Sequence, residues 1–215
     1  MLNVQKKFQR ANGNINVKIN NNEINRFYQS GSAKVFYPKS SQKIKELVLV
    51  NTAGGLTSGD NFFYNIDIIN KSKIFVTTQT AERVYKGINE NAEIKVTLLV
   101  DDTSDLFWIP QELILFNNCN LNRKIEVNLK SNSNFLLAES TIFGRTAMGE
   151  ILEKGFFKDN WKIYLNKKLI HAEALSLTGN IKDKLSSIAC TDNGVAICNI
   201  FISGKHFLSK EDLLT

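Results

Sequence analysis

Short stretches in which apolar and polar residues alternate recur along the chain, and this pattern restricts the fold more than any other feature. In Ala92–Val100, the apolar side chains of Ile94, Val96 and Leu98 alternate with polar ones. Leu121–Leu129 repeats the pattern. A period of two residues is that of a β-strand with one buried face. The long 3.6-residue periodicity of a helical or α/β protein is absent, so the sequence predicts a mainly β protein.

The composition indicates that no flexible linker divides the chain. It has 215 residues, of which 43% are hydrophobic, and this suits one large domain or two small ones. Only two prolines are present, and no glycine- or serine-rich tract occurs.

Turn residues and a proline predict two hairpins and one break in the strand pattern. Asn20–Glu23 is the turn of an N-terminal hairpin, because asparagine tolerates left-handed backbone conformations. A second hairpin joins Trp161–Leu165 to Leu169–Leu177. Pro110 divides two apolar runs, and it forces a bend or an edge position because it lacks the N–H of a sheet ladder.

A glycine-rich loop, Asn51–Asp60, connects the predicted strands Glu46–Val50 and Phe62–Ile69. Glycine reaches positive φ angles and allows other groups to approach its backbone closely. The loop therefore holds the carboxylate of Asp60 in a fixed position between two strands. Its glycines are Gly54, Gly55 and Gly59.

Nucleotide binding does not fit this loop. A P-loop requires Gly-Lys-Ser/Thr, whereas Ser58-Gly59-Asp60 places a negative charge where the lysine would lie. A dinucleotide fingerprint requires a helix after the loop, whereas Phe62–Ile69 has the pattern of a strand. A tight turn between strands is the simpler interpretation.

The charge of the chain does not indicate a nucleic-acid-binding protein. The net charge is +6 and the sequence pI is about 9.1, but the lysines are spread among Asn, Ile and Glu. No recognition-helix, zinc-finger or RNA-binding signature occurs. A weakly basic face equally suits an acidic protein partner.

The termini and cysteines favour a cytoplasmic protein. No apolar run is long enough to span a membrane, and Met1–Lys7 lacks the apolar core of a signal peptide. Cys119, Cys190 and Cys198 have no metal-binding spacing, and we expect them to be reduced thiols in the core.

Four segments, in this order, resemble the urease accessory proteins of the UreD (also UreH) family. The likeness runs from about Phe36 to Glu150 and continues more weakly through Ser176-Leu177. The last segment contains a second charged loop with Gly144 and Arg145. The four segments are Asn51–Asp60, Thr77–Lys86, Leu106–Glu112 and Phe143–Glu150.

The chain departs from the family pattern at two places. Family members usually have Pro-Pro or Pro-Gly before the double glycine, where this chain has Thr52-Ala53. They also run longer at the C-terminus, whereas this chain stops at Thr215. The resemblance therefore implies a single UreD-like domain over residues 1–215, shortened at its C-terminus.

The resemblance implies a fold and a role without catalysis. The family fold is a β-helix-like stack of short sheets with few helices. Family members act as scaffolds that bind apo-urease and recruit UreF, which brings the GTPase UreG carrying nickel. A water-filled passage through the stack leads Ni²⁺ to urease, and a homodimer within the accessory complex is compatible with this role.

Transit of nickel requires weak oxygen ligands rather than a tight site. The two histidines, His171 and His206, are far apart in the sequence, so no tightly bound metal or other cofactor is expected. By position in the matched segments, three acids fall where the family places polar residues of the passage, and the fourth is a looser match. In that order they are Asp60, Glu82, Glu139 and Glu173.

The local sequence leaves the role of these acids open. Asp60 ends the glycine loop and Glu139 ends the apolar run Phe135–Ala138. Each acid is equally compatible with a solvated turn residue or with an ion pair to Arg83 or Arg145.

Two further functions remain as alternatives. One is a β-rich protein-interaction module without a metal role. The other is a hydrolase or transferase in which Asp60 and Glu139 act as an acid/base pair, although no nucleophile–histidine pair or cofactor motif supports it.

Overall fold

The computed structural model describes residues 9–88 and 90–204. Within these ranges, alternating burial along the chain produces fifteen β-strands and one short α-helix. The strands are β1 (Asn12–Asn20), β2 (Glu23–Gly31), β3 (Ala33–Phe36), β4 (Lys45–Asn51), β5 (Asn61–Ile69), β6 (Lys73–Thr78), β7 (Glu82–Val84), β8 (Ala92–Val100), β9 (Asp105–Trp108), β10 (Leu113–Leu115), β11 (Cys119–Leu129), β12 (Asn134–Phe143), β13 (Lys154–Leu165), β14 (Lys168–Asn180) and β15 (Ala196–Ser203). A 3-10 turn covers Thr146–Met148, and the helix α1 covers Ile181–Leu185.

The strands form two sheets, and from β4 to β13 the chain passes back and forth between them. Sheet A has the order β14-β13-β11-β8-β5-β1-β2. Sheet B contains β3, β4, β6, β9 and β12 side by side, with β15 on the other side of β12. The central pairings of both sheets are parallel. The result is a parallel β-solenoid of about four turns, which confirms the predicted mainly β, β-helix-like stack with few helices.

Antiparallel strands end the winding at both ends of the solenoid. In sheet A, β2 pairs with β1 and β14 pairs with β13. In sheet B, β3 pairs with β4 and β15 pairs with β12. The two predicted hairpins are confirmed as β1–β2 and β13–β14. The turn residues Asn21 and Asn22 have positive φ angles, as expected of asparagine in a tight turn.

Parallel pairing in register stacks the same kind of side chain at the same level of successive turns. One such level is fully buried and takes one residue from each of five neighbouring strands of sheet A. It consists of Val17, Ile66, Leu98, Val127 and Ile163. Each turn alone could bury little apolar surface, so stability depends on this stacking.

The cysteines do not all lie in the core. Cys119 is buried in β11, whereas Cys190 and Cys198 are exposed, and all three are free thiols. Their predicted burial is therefore wrong for two of the three. Cys198 is exposed because it lies on the outward face of β15, next to exposed Ile200.

Neighbouring phenylalanines in β5 provide a test of the inward and outward faces. Phe62 is fully buried and packs over Gly13, whereas Phe63 is 42% exposed. Phe62→Ala should lower the free energy of unfolding by about 3–5 kcal/mol, because it leaves a cavity between the sheets. Phe63→Ala should lower it by less than about 1 kcal/mol. Urea unfolding of both variants measures the difference, and equal losses would contradict the assignment of the faces.

Candidate functional site

The strands of sheet B are interrupted on three consecutive turns, and their ends are staggered, since Thr78 lies opposite Leu49 and Trp108 lies opposite Val76. β4 ends at Asn51, β6 ends at Thr78 and β9 ends at Trp108. The ladder resumes where Leu56 pairs with Val84, which in turn pairs with Leu115 of β10. The gaps are filled by residues 52–55, 79–81 and 109–112. Pro110 lies in the third gap, which confirms the predicted break at that position.

A cavity of about 80 Å³ lies beside these gaps, between the inner faces of the two sheets. Its lining includes the exposed residues Gly54, Thr80 and Gln111 and the buried residues Trp108 and Glu139. The cavity therefore leads from the surface towards the core. Its polar lining and volume suit a few water molecules.

The carboxylate of Asp60 holds the glycine loop in place. Its side chain is buried, and one carboxylate oxygen accepts a 2.8 Å hydrogen bond from the backbone N–H of Ala11. The other oxygen accepts a 2.8 Å bond from the backbone N–H of Thr57. The carboxylate thus joins the loop to the start of β1, and Asp60 is not among the residues that line the cavity.

The glycines of the loop have conformations and contacts that other residues would disturb. Gly54, Gly55 and Gly59 all have positive φ angles. A Cβ atom on Gly55 would lie 2.4 Å from the ring of Tyr85 and 2.7 Å from the carbonyl oxygen of Arg83. The close approach lets the loop pack directly on the next turn of the solenoid.

Glu82 lies at the start of β7 and lines the cavity. Both of its carboxylate oxygens lie 3.2 Å from the amide nitrogen of Asn51, which donates to them. Burial raises the pKa of Glu82 to about 7, and the charge of Asp60 adds to this increase. Near neutral pH this carboxyl group therefore exists in both its protonated and its ionised form.

Glu139 lies in the middle of β12, not at the end of a strand as predicted. The strand continues to Phe143, and its inward positions include Leu137, Glu139 and Thr141. Glu139 accepts a 2.6 Å hydrogen bond from the indole N–H of Trp108 and forms an ion pair with Arg123. Burial raises the pKa of Glu139, although the positive charge of Arg123 opposes this effect.

Arg123 and Asp159 complete a buried charged cluster that the sequence analysis missed. They are direct neighbours in register on β11 and β13 of sheet A. The guanidinium of Arg123 donates from Nε to Oδ1 of Asp159 at 2.9 Å and from Nη2 to Oδ2 at 2.5 Å. The indole N–H of Trp161 also donates to Oδ2, at 3.1 Å.

A signal for this cluster was present in the sequence. Arg123 falls in phase with the apolar residues Leu121 and Ile125, which face inward. Asp159 falls in phase with Phe157 and Trp161 in the same way. A charged residue at an inward position of an alternating strand must find a buried partner or destabilise the fold.

Glu173 lies apart from the cavity lining. It is half-buried on the edge strand β14, where one carboxylate oxygen accepts a 2.7 Å hydrogen bond from the amide of Asn199 on β15. His171 approaches the other oxygen to 3.8 Å, and its ring lies 5.0 Å from that of Phe201. The structure thus brings Glu82 and Glu139 to one cavity but brings neither Asp60 nor Glu173 there.

The second charged loop packs against the rim of the stack. Arg145 pairs with Glu150 at 2.5 Å, and its guanidinium lies 4.1 Å from the ring centre of Phe116. Phe116 in turn makes an edge-to-face contact with Tyr85. Gly144 has a positive φ angle, and a Cβ atom there would lie 2.7 Å from the carbonyl oxygen of Glu150. Glu139 pairs with Arg123 instead of Arg83 or Arg145, so neither of the predicted ion-pair partners applies to it.

Two general findings bear on the site. Within residues 9–88 and 90–204, no three His, Cys, Asp or Glu side chains are grouped as metal ligands would be. Over the same residues, the helices are too short and too polar to cross a membrane.

Comparison with known proteins identifies the family. A family model described as "UreD urease accessory protein" matches residues 10–214. The chain belongs to the UreD family.

Individual members of the UreD family support this assignment. The urease accessory protein UreD of Rhodopseudomonas palustris (strain BisB5) is 38% identical over 178 residues, which are 83% of this chain and 63% of the relative. That of Rhizobium leguminosarum bv. viciae is 38% identical over 181 residues, which are 84% of this chain and 66% of the relative. UreD 1 of Brucella anthropi is 34% identical over 96% of this chain and 77% of the relative. This chain thus spans somewhat less than two-thirds of the first two relatives.

The segments that carry the UreD resemblance lie on successive turns. Each of the first three segments contributes residues to the cavity lining, among them Gly55, Glu82 and Trp108. The fourth begins at Phe143, which pairs with Leu115 on the neighbouring turn. Segments that are distant in the sequence are therefore stacked together by the parallel ladder of sheet B.

The raised pKa of Glu82 predicts a specific dependence of stability on pH. The folded protein retains the Glu82 proton up to about pH 7, whereas the unfolded chain releases it near its ordinary pKa of 4.5. The contribution of Glu82 to stability must therefore fall as the pH rises from about 4.5 to 7. Glu82→Gln should match the wild type near pH 4.5 and exceed its free energy of unfolding by about 2–3 kcal/mol at pH 8.

Urea unfolding at several pH values measures this difference. The matched control is Glu153→Gln, because Glu153 is exposed and does not line the cavity. A constant difference between Glu82→Gln and the wild type across this pH range would show that Glu82 ionises normally in the folded protein.

Proposed function

We propose that this chain acts as an accessory scaffold in urease maturation. In this role it binds apo-urease in the cytoplasm and recruits UreF, through which UreG delivers nickel. Membership of the UreD family supports the accessory role, since the relatives carry that name. Homodimer formation within the accessory complex belongs to the same proposal.

We further propose that Ni²⁺ passes through the cavity between the sheets. The observation that carries this proposal is the placement of Glu82 and Glu139 on one cavity that leads from the surface into the core. Carboxylate and water oxygens bind Ni²⁺ more weakly than histidine or cysteine sites do, so they suit an ion that must leave again. Asp60 supports the passage indirectly, by holding the glycine loop at its rim.

The remaining predicted ligand, Glu173, fits this route less well. It lies on the edge strand β14 at the C-terminal end of the solenoid, half-buried next to His171. The proposed passage therefore rests on Glu82 and Glu139.

The acid/base alternative has little support at Asp60. Both of its carboxylate oxygens accept backbone hydrogen bonds, so they are occupied by the loop. An accessory role without catalysis is therefore the proposal that fits these contacts better.

Urease activation in cells at limiting nickel tests the passage. The Glu82→Gln/Glu139→Gln double variant should lower urease activity on the order of tenfold or more, the usual effect of losing groups that assist a metal. It should still co-purify with UreF and apo-urease, because both substitutions lie at the cavity. Glu153→Gln, on the exposed surface, should retain activity.

The two parts of the proposal fail in different ways. Full urease activity of the double variant would contradict the nickel passage and would favour the alternative of an interaction module without a metal role. Failure of the wild-type chain to bind either UreF or apo-urease would contradict the scaffold role itself.

A further inference from the structure

Arg123 places a permanent positive charge on the proposed route. It lines the cavity together with Glu139 and is itself buried. Burial alone would lower the pKa of Arg123, but the charges of Asp159 and Glu139 raise it above its ordinary value. The guanidinium therefore stays charged at every pH at which the protein is folded.

This positive charge lies where a cation bound to Glu139 would lie. One guanidinium nitrogen, Nη1, forms the ion pair with Oε2 of Glu139. A divalent cation that approaches this oxygen meets the guanidinium at close range, in a buried region where charges are poorly screened. Binding of a metal to Glu139 must therefore displace Arg123.

The contacts of the cluster allow Arg123 to be displaced without leaving either acid unpaired. Its two hydrogen bonds to Asp159 use Nε and Nη2, so they do not depend on Glu139. The carboxylate of Glu139 retains the hydrogen bond from Trp108 through its other oxygen. A guanidinium that shifts towards Asp159 thus leaves both acids with a partner.

We propose that Arg123 is a built-in competitor for the cation at Glu139, which keeps the passage from trapping the metal. The inference rests on the proposed passage of Ni²⁺ along Glu139. Without Arg123, Glu139 and Asp159 would present two buried carboxylates close together, and such a pair retains a divalent cation. With Arg123 in place, the ion binds Glu139 only while the guanidinium is withdrawn.

A charge-matched variant tests this inference. The wild-type cluster has one positive and two negative side chains, so its net charge is −1 when all are ionised. Arg123→Gln/Asp159→Asn leaves only Glu139 charged, so it has the same net charge but lacks the competitor. The one acid that it leaves without an ionic partner is Glu139, which keeps its hydrogen bond from Trp108.

The measurement is calorimetric titration of the full chain with NiCl₂. Arg123→Gln/Asp159→Asn should bind Ni²⁺ at least about tenfold more tightly than the wild type, because the ion no longer competes with the guanidinium of Arg123 for Oε2 of Glu139. Adding Glu139→Gln should abolish the gain. Arg123→Lys, which keeps the positive charge, should bind no more tightly than the wild type.

Two results would overturn the inference. One is equal binding by the charge-matched variant and the wild type, including the case in which neither binds Ni²⁺. The other is a gain that persists when Glu139 is replaced. Because the titration involves neither urease nor UreF, its outcome is separate from that of the scaffold proposal. If the charge-matched variant does not fold, Arg123→Lys/Glu139→Gln and Glu139→Gln are each compared with the wild type. Tighter binding of Ni²⁺ by either variant than by the wild type would contradict the inference.

Discussion

In-register stacking of parallel strands is the constraint on which the structure depends. Each turn of the solenoid places its inward side chains directly beside those of the next turn, as Val127 lies beside Leu98 and Ile163. At most levels this brings apolar groups together and builds the core. Where the inward residue is charged, the same register decides its partner, and so Arg123 lies beside Asp159.

The cavity follows from a local failure of this stacking. The ladder of sheet B stops after Asn51, Thr78 and Trp108, and it resumes a few residues later on each turn. The gap admits polar side chains to a region that would otherwise be filled by apolar ones. Each acid there accepts a hydrogen bond from a neutral donor: Asn51 donates to Glu82, and Trp108 donates to Glu139. Such contacts stabilise carboxyl groups in the interior while leaving them able to exchange partners.

Much of the fold could be predicted from the sequence, because alternation of apolar and polar residues directly reports a strand with one buried face. The hairpins at Asn21 and Asn166 and the break at Pro110 followed from local backbone preferences. The winding of the chain between two sheets did not follow from alternation, since antiparallel and parallel sheets can share that pattern. It was inferred only from the resemblance to the UreD family.

The site was predicted less completely, for two physical reasons. Asp60 accepts a hydrogen bond from the backbone N–H of Ala11, 49 residues away, and no local pattern reports such a contact. The apolar run Phe135–Ala138 predicts a strand that ends at Glu139, whereas the strand continues through Glu139 because Arg123 and Trp108 hold its carboxylate. The phase of Arg123 with Leu121 and Ile125 was the available signal. A charged residue in phase with the inward positions of a strand therefore predicts a buried charged cluster.

We propose that the interior of the solenoid, at Glu82 and Glu139, admits a divalent cation. Anomalous diffraction at the nickel absorption edge, from crystals of the full chain soaked in NiCl₂, shows whether it does. We expect an anomalous peak of partial occupancy in the cavity, within coordination distance of at least one of these two carboxylates. Peaks confined to the outer surface, with an empty cavity at the same nickel concentration, would contradict it.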